Sequence, residues 1–126
     1  MNIPSVYINL DRRPDRKYHC QRLLHVFNNL TRVSAVDGKF ANYTRRDLFP
    51  YYDTRENKRW DKSIKLLRHL RMSAGEIGCA LSHLHIWKNM SSPLLVFEDD
   101  IILTNNFGKR LENALSSLPK DWHILI

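Results

Sequence analysis

The sequence predicts an α/β fold built around a parallel sheet. Short apolar runs rich in β-branched and aromatic residues alternate with stretches of helical periodicity, and a strand, a helix and a second strand follow one another within residues 3–36. The chain has 126 residues, of which 43% are hydrophobic and 26% are charged, as is typical of one soluble globular domain. We therefore expect residues 1–126 to form a single α/β unit.

The first strand and the first helix have clear local signals. Ile3 to Leu10 is centred on Val6-Tyr7-Ile8, which is typical of a buried strand. Pro14 suits the first position of a helix, and Asp15 favours the positive end of the helix dipole. Apolar residues recur with helical spacing and form one face of this helix: Cys20, Leu23, Leu24, Phe27 and Leu30.

A second strand and a long irregular segment come next. Thr31 to Val36 predicts a strand that ends at the turn dipeptide Asp37-Gly38. From Lys39 to about Arg59 no periodicity is visible, which predicts a long loop, and Asp61 to Met72 predicts a short helix. Aromatic residues alternate with basic ones in the loop, and packing of these rings is favoured slightly over stacking on nucleobases. These aromatic residues are Tyr43, Phe49, Tyr51, Tyr52 and Trp60.

A helix over Ala74 to Asn89 is predicted by its start and its periodicity. Ser73 and Glu76 have the spacing of a capping box. Gly75 and Gly78 lie in its first turns, although glycine inside a helix costs roughly 1 kcal/mol relative to alanine. Gly78 therefore indicates either close packing or a surface that a ligand approaches.

The last part of the chain predicts a strand, a helix and the start of a further strand. Leu94 to Phe97 is apolar and β-rich, and Asn105 or Asn106 can cap a helix that Pro119 closes. His123 to Ile126 has the pattern of another buried strand, and the chain ends within it. We therefore expect a partial domain, truncated at the C-terminus.

The net charge of +7 is distributed unevenly. Residues 1–71 contain 16 Lys and Arg against 7 Asp and Glu, whereas residues 72–126 contain 4 against 6. A basic half opposite an acidic half suits an anionic ligand that bridges them, such as a nucleoside diphosphate. A solvated basic face and non-specific nucleic-acid binding are the alternatives, and composition does not choose among them.

Three consecutive acids, Glu98, Asp99 and Asp100, follow the apolar run Leu94 to Phe97. Neighbouring carboxylates repel one another, so a cation or a hydrogen-bonding ligand beside them would explain the pattern. Mg²⁺ and Mn²⁺ take oxygen ligands and are commonly held by one or two carboxylates together with substrate phosphates. The triplet predicts a metal-diphosphate site, and solvated acids in a surface turn are an equally weighted alternative.

The two thiols indicate neither a disulfide nor a zinc site. Cys20 and Cys79 are far apart, and the N-terminus lacks the residue order of a signal peptide. The six histidines form no pattern of paired Cys and paired His, so zinc is not expected. Cys79 and His83 share a helix face, but no third group for a catalytic pair is evident, and a packed thiol beside a hydrogen-bonded histidine is favoured. We expect a cytoplasmic or cytosol-facing protein without a transmembrane segment, a property compatible with association at a membrane surface.

Ligands of open α/β sheets bind outside the carboxyl ends of the strands. Three segments fall there in the predicted fold: Asn9 to Arg16, Asp37-Gly38, and Glu98 to Asp100. The arginines of the first segment can neutralise phosphate, and the helix that starts at Pro14 offers a positive dipole end. Ordinary polarity at a helix start is the alternative for each arginine taken alone.

Four segments occur in a particular order: Val6 to Arg16, Ala35 to Gly38, Gly75 to His83, and Val96 to Asp100. Together they resemble glycosyltransferase family 25, which includes the lipooligosaccharide galactosyltransferases of bacteria, with the collagen galactosyltransferase domains as relatives. The resemblance extends from residue 5 to about residue 122.

The resemblance implies a Rossmann-like, GT-A-type domain that transfers galactose or glucose from a UDP-sugar, as in lipopolysaccharide biosynthesis, to a glycan or protein hydroxyl. It implies that Glu98, Asp99 and Asp100 hold Mn²⁺, or another divalent cation, against the diphosphate. The implied nucleotide-sugar pocket is lined by Asn9, Leu10, Arg12, Arg16, Asp37, Gly38, Glu76, Gly78, Ser82 and His83, with the uridine near Asp37 and Gly38 and the donor sugar near the last four.

The chain departs from the family at its end, because the catalytic domain of the family continues beyond the segment Asp121 to Ile126. The continuation is expected to supply the acceptor side and the base, so the catalytic residues stay unassigned. The first alternative is a truncated, inactive remnant that at most binds a nucleotide sugar. A nucleic-acid-binding module and a metal-dependent hydrolase are weaker alternatives. Nucleic-acid binding would give the acid triplet no role, so no nucleic-acid partner is expected.

Overall fold

The computed structural model of the protein has an α/β fold with a three-stranded parallel sheet. It describes residues 3–25, 27–43, 45–48, 50–53, 55–56, 58–59, 72–90 and 93–125. The elements within these ranges are β1 (Ser5–Asn9), α1 (Pro14–Leu23), β2 (Leu30–Ser34), α2 (Arg45–Leu48), α3 (Ala74–Asn89), β3 (Leu95–Glu98) and α4 (Phe107–Ser116).

The strand order β2-β1-β3 determines where a ligand can bind. The chain leaves β1 for β2 on one side of the sheet and later crosses to β3 on the other side. Crossovers between parallel strands have one handedness, so α1 in the first connection and α3 in the second lie on opposite faces of the sheet. The crevice at the carboxyl ends of β1 and β3 is therefore the topological switch point of the sheet, where open α/β folds bind ligands.

One face of the sheet carries an aromatic core that α1 covers. Tyr7 pairs with Phe97 in the register of β1 and β3, and both side chains are buried beside Cys20, Leu24 and Phe27. The ring of Phe27 lies 5.2 Å from that of Phe97, in a tilted arrangement favourable for aromatic pairs. Phe107, at the start of α4, packs against the same cluster.

The helix α3 begins as its sequence predicts. The backbone N–H of Glu76 donates to the Ser73 hydroxyl (3.3 Å), and the Ser73 N–H donates to the Glu76 carboxylate (2.6 Å). This capping box satisfies two backbone donors that a helix start otherwise leaves without partners. Ser82 and Ile86 are the buried side chains further along the helix.

The prediction that α1 continues to a stop at Asn28-Asn29 is wrong. The helix ends at Leu23, and turns follow in which Leu24 N–H donates to Cys20 O (2.9 Å) and Phe27 N–H donates to Leu24 O (3.0 Å). Leu24 and Phe27 are still buried in the core, so the turns bury the same side chains that a longer helix was predicted to bury. Leu30 instead begins β2, which ends at Ser34 rather than at Val36.

Two details of the last part of the chain also differ. Asn106 occupies the position before α4 with φ 58° and ψ 25°, but its side chain makes no capping hydrogen bond, so the predicted side-chain cap is wrong. Residues 123–125 are not in a strand, so the predicted final strand is absent from them, and Ile126 lies outside the described residues.

The predicted loop between Lys39 and Arg59 contains the short helix α2. Tyr52 is half-buried and its hydroxyl accepts a hydrogen bond from Met72 N–H (3.2 Å), whereas Tyr51 is 53% exposed. The predictions for Phe49, for Trp60 and for a helix over 61–71 lie outside the described residues.

Candidate functional site

A cavity of about 290 Å³ opens at the switch point of the sheet. Its walls come from the end of β1, the loop after β2, the first turns of α3 and the end of β3, so the three segments that follow the strands meet there. Among the predicted site residues, those that line the cavity are Leu10, Arg12, Asp37, Gly38, Ser82, His83, Glu98 and Asp99. Those that do not line it are Asn9, Arg16, Glu76, Gly78 and Asp100.

Sequence reasoning missed other lining residues, notably Lys39, Ala74, Gly75 and Cys79. Lys39 directly follows the predicted turn, and Ala74 and Gly75 open a helix whose start was predicted. These three could have been found by placing every residue of the turn and of the helix start at the carboxyl edge of the sheet.

The loop after β2 is held against α3 by direct backbone contact. A Cβ atom on Gly78 would lie 2.5 Å from Val36 O and 2.8 Å from Gly38 N, so an alanine does not fit without movement. The Ser82 hydroxyl accepts a hydrogen bond from Val36 N–H (2.8 Å) and donates to Gly78 O (2.7 Å). Of the two interpretations of Gly78, these distances support close packing.

An ion pair joins the end of β1 to the same loop. Arg12 Nε donates to Asp37 Oδ2 at 2.5 Å, and Lys39 N–H donates to Asp37 Oδ1 at 3.1 Å. The hydrogen bond from Arg12 is the main cause that lowers the pKa of Asp37 below its ordinary value, so this carboxyl stays ionised. Arg12 and Lys39 thus bring two cations to the cavity wall.

A buried polar network ties together the carboxyl ends of β1 and β3. Asn9 Nδ2 donates to Asp99 Oδ2 (2.7 Å), and Arg16 Nη1 donates to Asp99 Oδ1 (2.7 Å). Asn9 Oδ1 accepts from Arg32 Nε (3.0 Å), so the buried amide is bonded at both of its ends. Arg16 also lies 3.4 Å from Asp100 Oδ2, which is more exposed. Asn9 and Arg16 therefore do not line the cavity themselves but hold the Asp99 carboxylate in position at its wall.

Glu98 faces α3 rather than its acidic neighbours. Its Oε1 lies 3.1 Å from His83 Nε2 and accepts a hydrogen bond from the Cys79 thiol at 3.5 Å. Glu98 is the third group beside the Cys79-His83 pair that was not evident in the sequence, whereas the expected hydrogen bond of His83 is confirmed. Partial burial of the sulfur, followed by the negative charge of Glu98, raises the pKa of Cys79 above its ordinary value.

The model of glycosyltransferase family 25, described as an LPS biosynthesis protein, matches residues 3–126. The chain belongs to glycosyltransferase family 25. The four sequence segments that suggested this family come from the strand ends and the α3 start, which are the parts of the chain that form the cavity.

Curated proteins of family 25 are similar to nearly the whole chain. Procollagen galactosyltransferase 2 of Mus musculus is 32% identical over 133 residues, which cover 94% of this chain and 19% of that protein. A glycosyltransferase 25 family member of Aedes aegypti is 35% identical over 130 residues, or 91% of this chain and 19% of that protein. The inactive glycosyltransferase 25 family member 3 of Homo sapiens is 33% identical over 121 residues, or 88% of this chain and 18% of that protein.

The chain thus spans about a fifth of the length of these family 25 relatives. No solved structure gives a significant match. Among the described residues, no helix has the length and apolar character needed to cross a bilayer.

The three acids of the triplet in this family 25 chain have different partners. Among the described residues, the set of potential metal ligands whose donor atoms all lie within 4.8 Å of one another consists of Cys79, His83 and Glu98. Asp99 lines the cavity but is held by Arg16, and Asp100 is exposed outside the lining. Of the triplet, two separately oriented carboxylates therefore line the cavity, those of Glu98 and Asp99.

The raised pKa of Cys79 predicts slow alkylation of this thiol. Only the thiolate reacts with iodoacetamide, so the rate should be low at neutral pH and rise as the pH approaches and passes the ordinary thiol pKa of 9.0. Glu98→Gln removes the negative charge beside the sulfur, lowers the pKa of Cys79 and should accelerate alkylation at a fixed pH. Peptide mass spectrometry measures the rate at each thiol.

Buried Cys20 provides the internal control for this experiment, because its thiol has no access to reagent in the folded state. It should stay unmodified in both proteins until denaturant is added. An unchanged or slower rate at Cys79 in Glu98→Gln would contradict the electrostatic coupling between the two groups.

Proposed function

We propose that this chain is the donor-binding part of a family 25 glycosyltransferase with GT-A-type organisation, and that its cavity binds a UDP-sugar carrying galactose or glucose. The observation that carries the proposal is the cavity at the switch point, where two cations and three carboxylates converge from separate segments. Relatives named galactosyltransferase support a hexose as the transferred group. The acceptor is then a hydroxyl, on a glycan as the family description suggests or on a protein as the procollagen names suggest.

The diphosphate is proposed to lie between Arg12, Lys39 and the start of α3. Among the contacts of the described residues, Arg12 uses its Nε for Asp37, which leaves its Nη groups for phosphate oxygens. Ala74 and Gly75 line the cavity at the N-terminal end of α3, where the helix dipole favours an anion. Among the described residues, the atom that a Cβ on Gly75 would meet is Ser73 Oγ, at 3.9 Å, so these residues leave room for a ligand beside this wall.

The carboxylates of Glu98 and Asp99 both line the cavity, and we propose that they hold a divalent cation beside that diphosphate, each from its own side of the cavity. Mn²⁺ and Mg²⁺ take oxygen ligands and are often held by one or two carboxylates together with substrate phosphates. Arg16 and Asn9 orient Asp99 by the hydrogen bonds described above, as outer-shell partners of metal ligands do. Such a cation would act as a Lewis acid that neutralises charge on the departing UDP. The role proposed for Asp100 is weaker, because its carboxylate lies outside the cavity wall.

Calorimetric titration with UDP-galactose and UDP-glucose, with and without Mn²⁺, tests this proposal. We expect binding that Mn²⁺ strengthens, and we expect Arg12→Ala to weaken it by about 10- to 100-fold, as a lost charge-assisted hydrogen bond would. Arg13→Ala is the matched control, because Arg13 pairs with Asp15 (2.6 Å) and does not line the cavity.

Failure of both sugars to bind at millimolar concentration, or equal losses in the two arginine variants, would contradict the proposed donor site. Binding of nucleic acid that weakens steeply with salt and ignores Mn²⁺ would favour a basic nucleic-acid-binding surface instead.

A nucleotide-sugar binder without transfer activity is the second candidate, since relatives of similar identity are named inactive. The amount of UDP released from UDP-galactose in the presence of Mn²⁺ separates the two. Release that Glu98→Gln abolishes supports the transferase, whereas binding of the donor without release supports the binder.

A further inference from the structure

Three different donor atoms meet on the wall of the cavity. Cys79 and His83 are one helical turn apart on α3, and Glu98 reaches them from the end of β3. The thiol and imidazole both contact the same oxygen, Glu98 Oε1, at 3.5 Å and 3.1 Å. This cluster brings together a sulfur, a nitrogen and an oxygen, of which the diphosphate site proposed above uses only the Glu98 carboxylate.

These separations suit a tetrahedral metal ion. Zinc binds sulfur, nitrogen and oxygen at about 2.0–2.3 Å, so two ligand atoms of one tetrahedral ion are roughly 3.3–3.8 Å apart. The distances from Glu98 Oε1 to the other two donor atoms are close to this range, and all three atoms lie within 4.8 Å of one another. Small side-chain rotations are therefore sufficient to place the three donors around one ion.

The charges of the cluster also suit a divalent ion. A thiolate, a carboxylate and a neutral imidazole together carry two negative charges, which balance one divalent cation. All three residues line the cavity, so a fourth coordination position can face its interior and take water or a ligand.

We propose that Cys79, His83 and Glu98 form a binding site for Zn²⁺, or for Co²⁺ as an ion of similar coordination chemistry, on the α3 side of the cavity. Thiolate and imidazole ligands favour zinc over Mn²⁺ and Mg²⁺, so this site differs in metal preference from the oxygen site proposed at Glu98 and Asp99, with which it shares Glu98. The proposal rests on the geometry of the three side chains and not on sugar transfer.

The sequence alone led to the opposite expectation. Cys79 and His83 were placed on one helix face, but the third donor, Glu98, follows His83 by 15 positions and belongs to a different element. Zinc sites recognised from sequence have closely spaced ligand pairs, whereas this site depends on the packing of α3 against the end of β3.

Titration of the intact chain with Co²⁺, followed by displacement with Zn²⁺, tests the site without any nucleotide. We expect one ion per chain, visible absorption bands typical of tetrahedral cobalt, and a thiolate-to-cobalt charge-transfer band in the near ultraviolet. Cys79→Ser should remove the charge-transfer band, although Cys20 is retained, and should weaken Zn²⁺ binding at least tenfold. His83→Gln and Glu98→Gln should each weaken it at least tenfold as well.

Two variants serve as matched controls. His85→Gln changes an exposed histidine on the same helix, and Glu112→Gln changes an exposed acid on α4, so both should keep the affinity within about twofold. Circular dichroism shows whether each variant is folded. Absence of one-to-one Zn²⁺ binding in the folded wild-type chain, or a charge-transfer band that persists in Cys79→Ser, would overturn the proposal. If the wild-type chain binds Zn²⁺ but binds neither UDP-galactose nor UDP-glucose in the calorimetric titration, only the proposed transferase function is overturned.

Discussion

Gly78→Ala is expected to destabilise the protein by about 1–3 kcal/mol, as overpacking of a well-packed site does. The added methyl group would lie 2.5 Å from Val36 O and 2.8 Å from Gly38 N, and both of these are backbone atoms that cannot rotate away. Either α3 or the loop after β2 must therefore move. Urea denaturation followed by circular dichroism measures the loss.

Gly75→Ala is the matched control for this prediction, because Gly75 lies one turn earlier on the same helix. Within the part of the chain that the structure describes, a Cβ there would meet the Ser73 hydroxyl at 3.9 Å, which is an ordinary contact. Since alanine is the better helix former, this variant should be neutral or more stable by up to about 1 kcal/mol. Similar losses in both variants would show that helix propensity, and not contact with the loop, determines the effect.

The strand and helix signals at the N-terminus predicted the βαβ unit because they are local. The apolar run of β1 and the proline at the start of α1 determine structure within a few residues, and both elements occur where expected. The convergence of Leu10, Asp37 and Glu98 at one cavity follows from a general rule for parallel sheets and needs no knowledge of side-chain positions.

The partners of the acid triplet could not be predicted in the same way. Adjacent carboxylates suggested shared partners, but successive side chains at a strand end point in opposite directions. Glu98 accordingly faces Cys79 and His83 on α3, whereas Asp99 faces Arg16 beside α1. Strict use of this alternation would have separated the two acids, although the identity of each partner depends on how the helices pack.

The end of α1 illustrates a second limit. Apolar spacing predicts which side chains are buried, and Leu24 and Phe27 are buried as expected. The same spacing is satisfied by the turns after Leu23, so periodicity does not determine where a helix stops. No glycine or proline marks the stop in this segment of the sequence.

Asp99→Asn is expected to cost about 1–3 kcal/mol, the range for leaving a buried polar group without a partner. Both carboxylate oxygens of Asp99 are acceptors, one for Arg16 Nη1 and one for Asn9 Nδ2, each at 2.7 Å. An amide offers one oxygen and one NH₂ group, so one of the two donors would then face another donor. Because Asn9 and Asp99 are both buried, water cannot readily replace the lost bond. Urea denaturation measures this loss as well.

Asp100→Asn makes the same chemical change at the next position and isolates the effect of burial. The Asp100 side chain is 59% exposed and lies 3.4 Å from Arg16, so its removal should cost less than about 1 kcal/mol, as for other surface ion pairs. Equal losses in the free energy of unfolding for the two variants would mean that water replaces the hydrogen bonds of Asp99. The network would then not hold the ends of β1 and β3 together. A large cost at Asp99 alone would identify this carboxylate as the group that couples the stability of the sheet to the shape of the cavity.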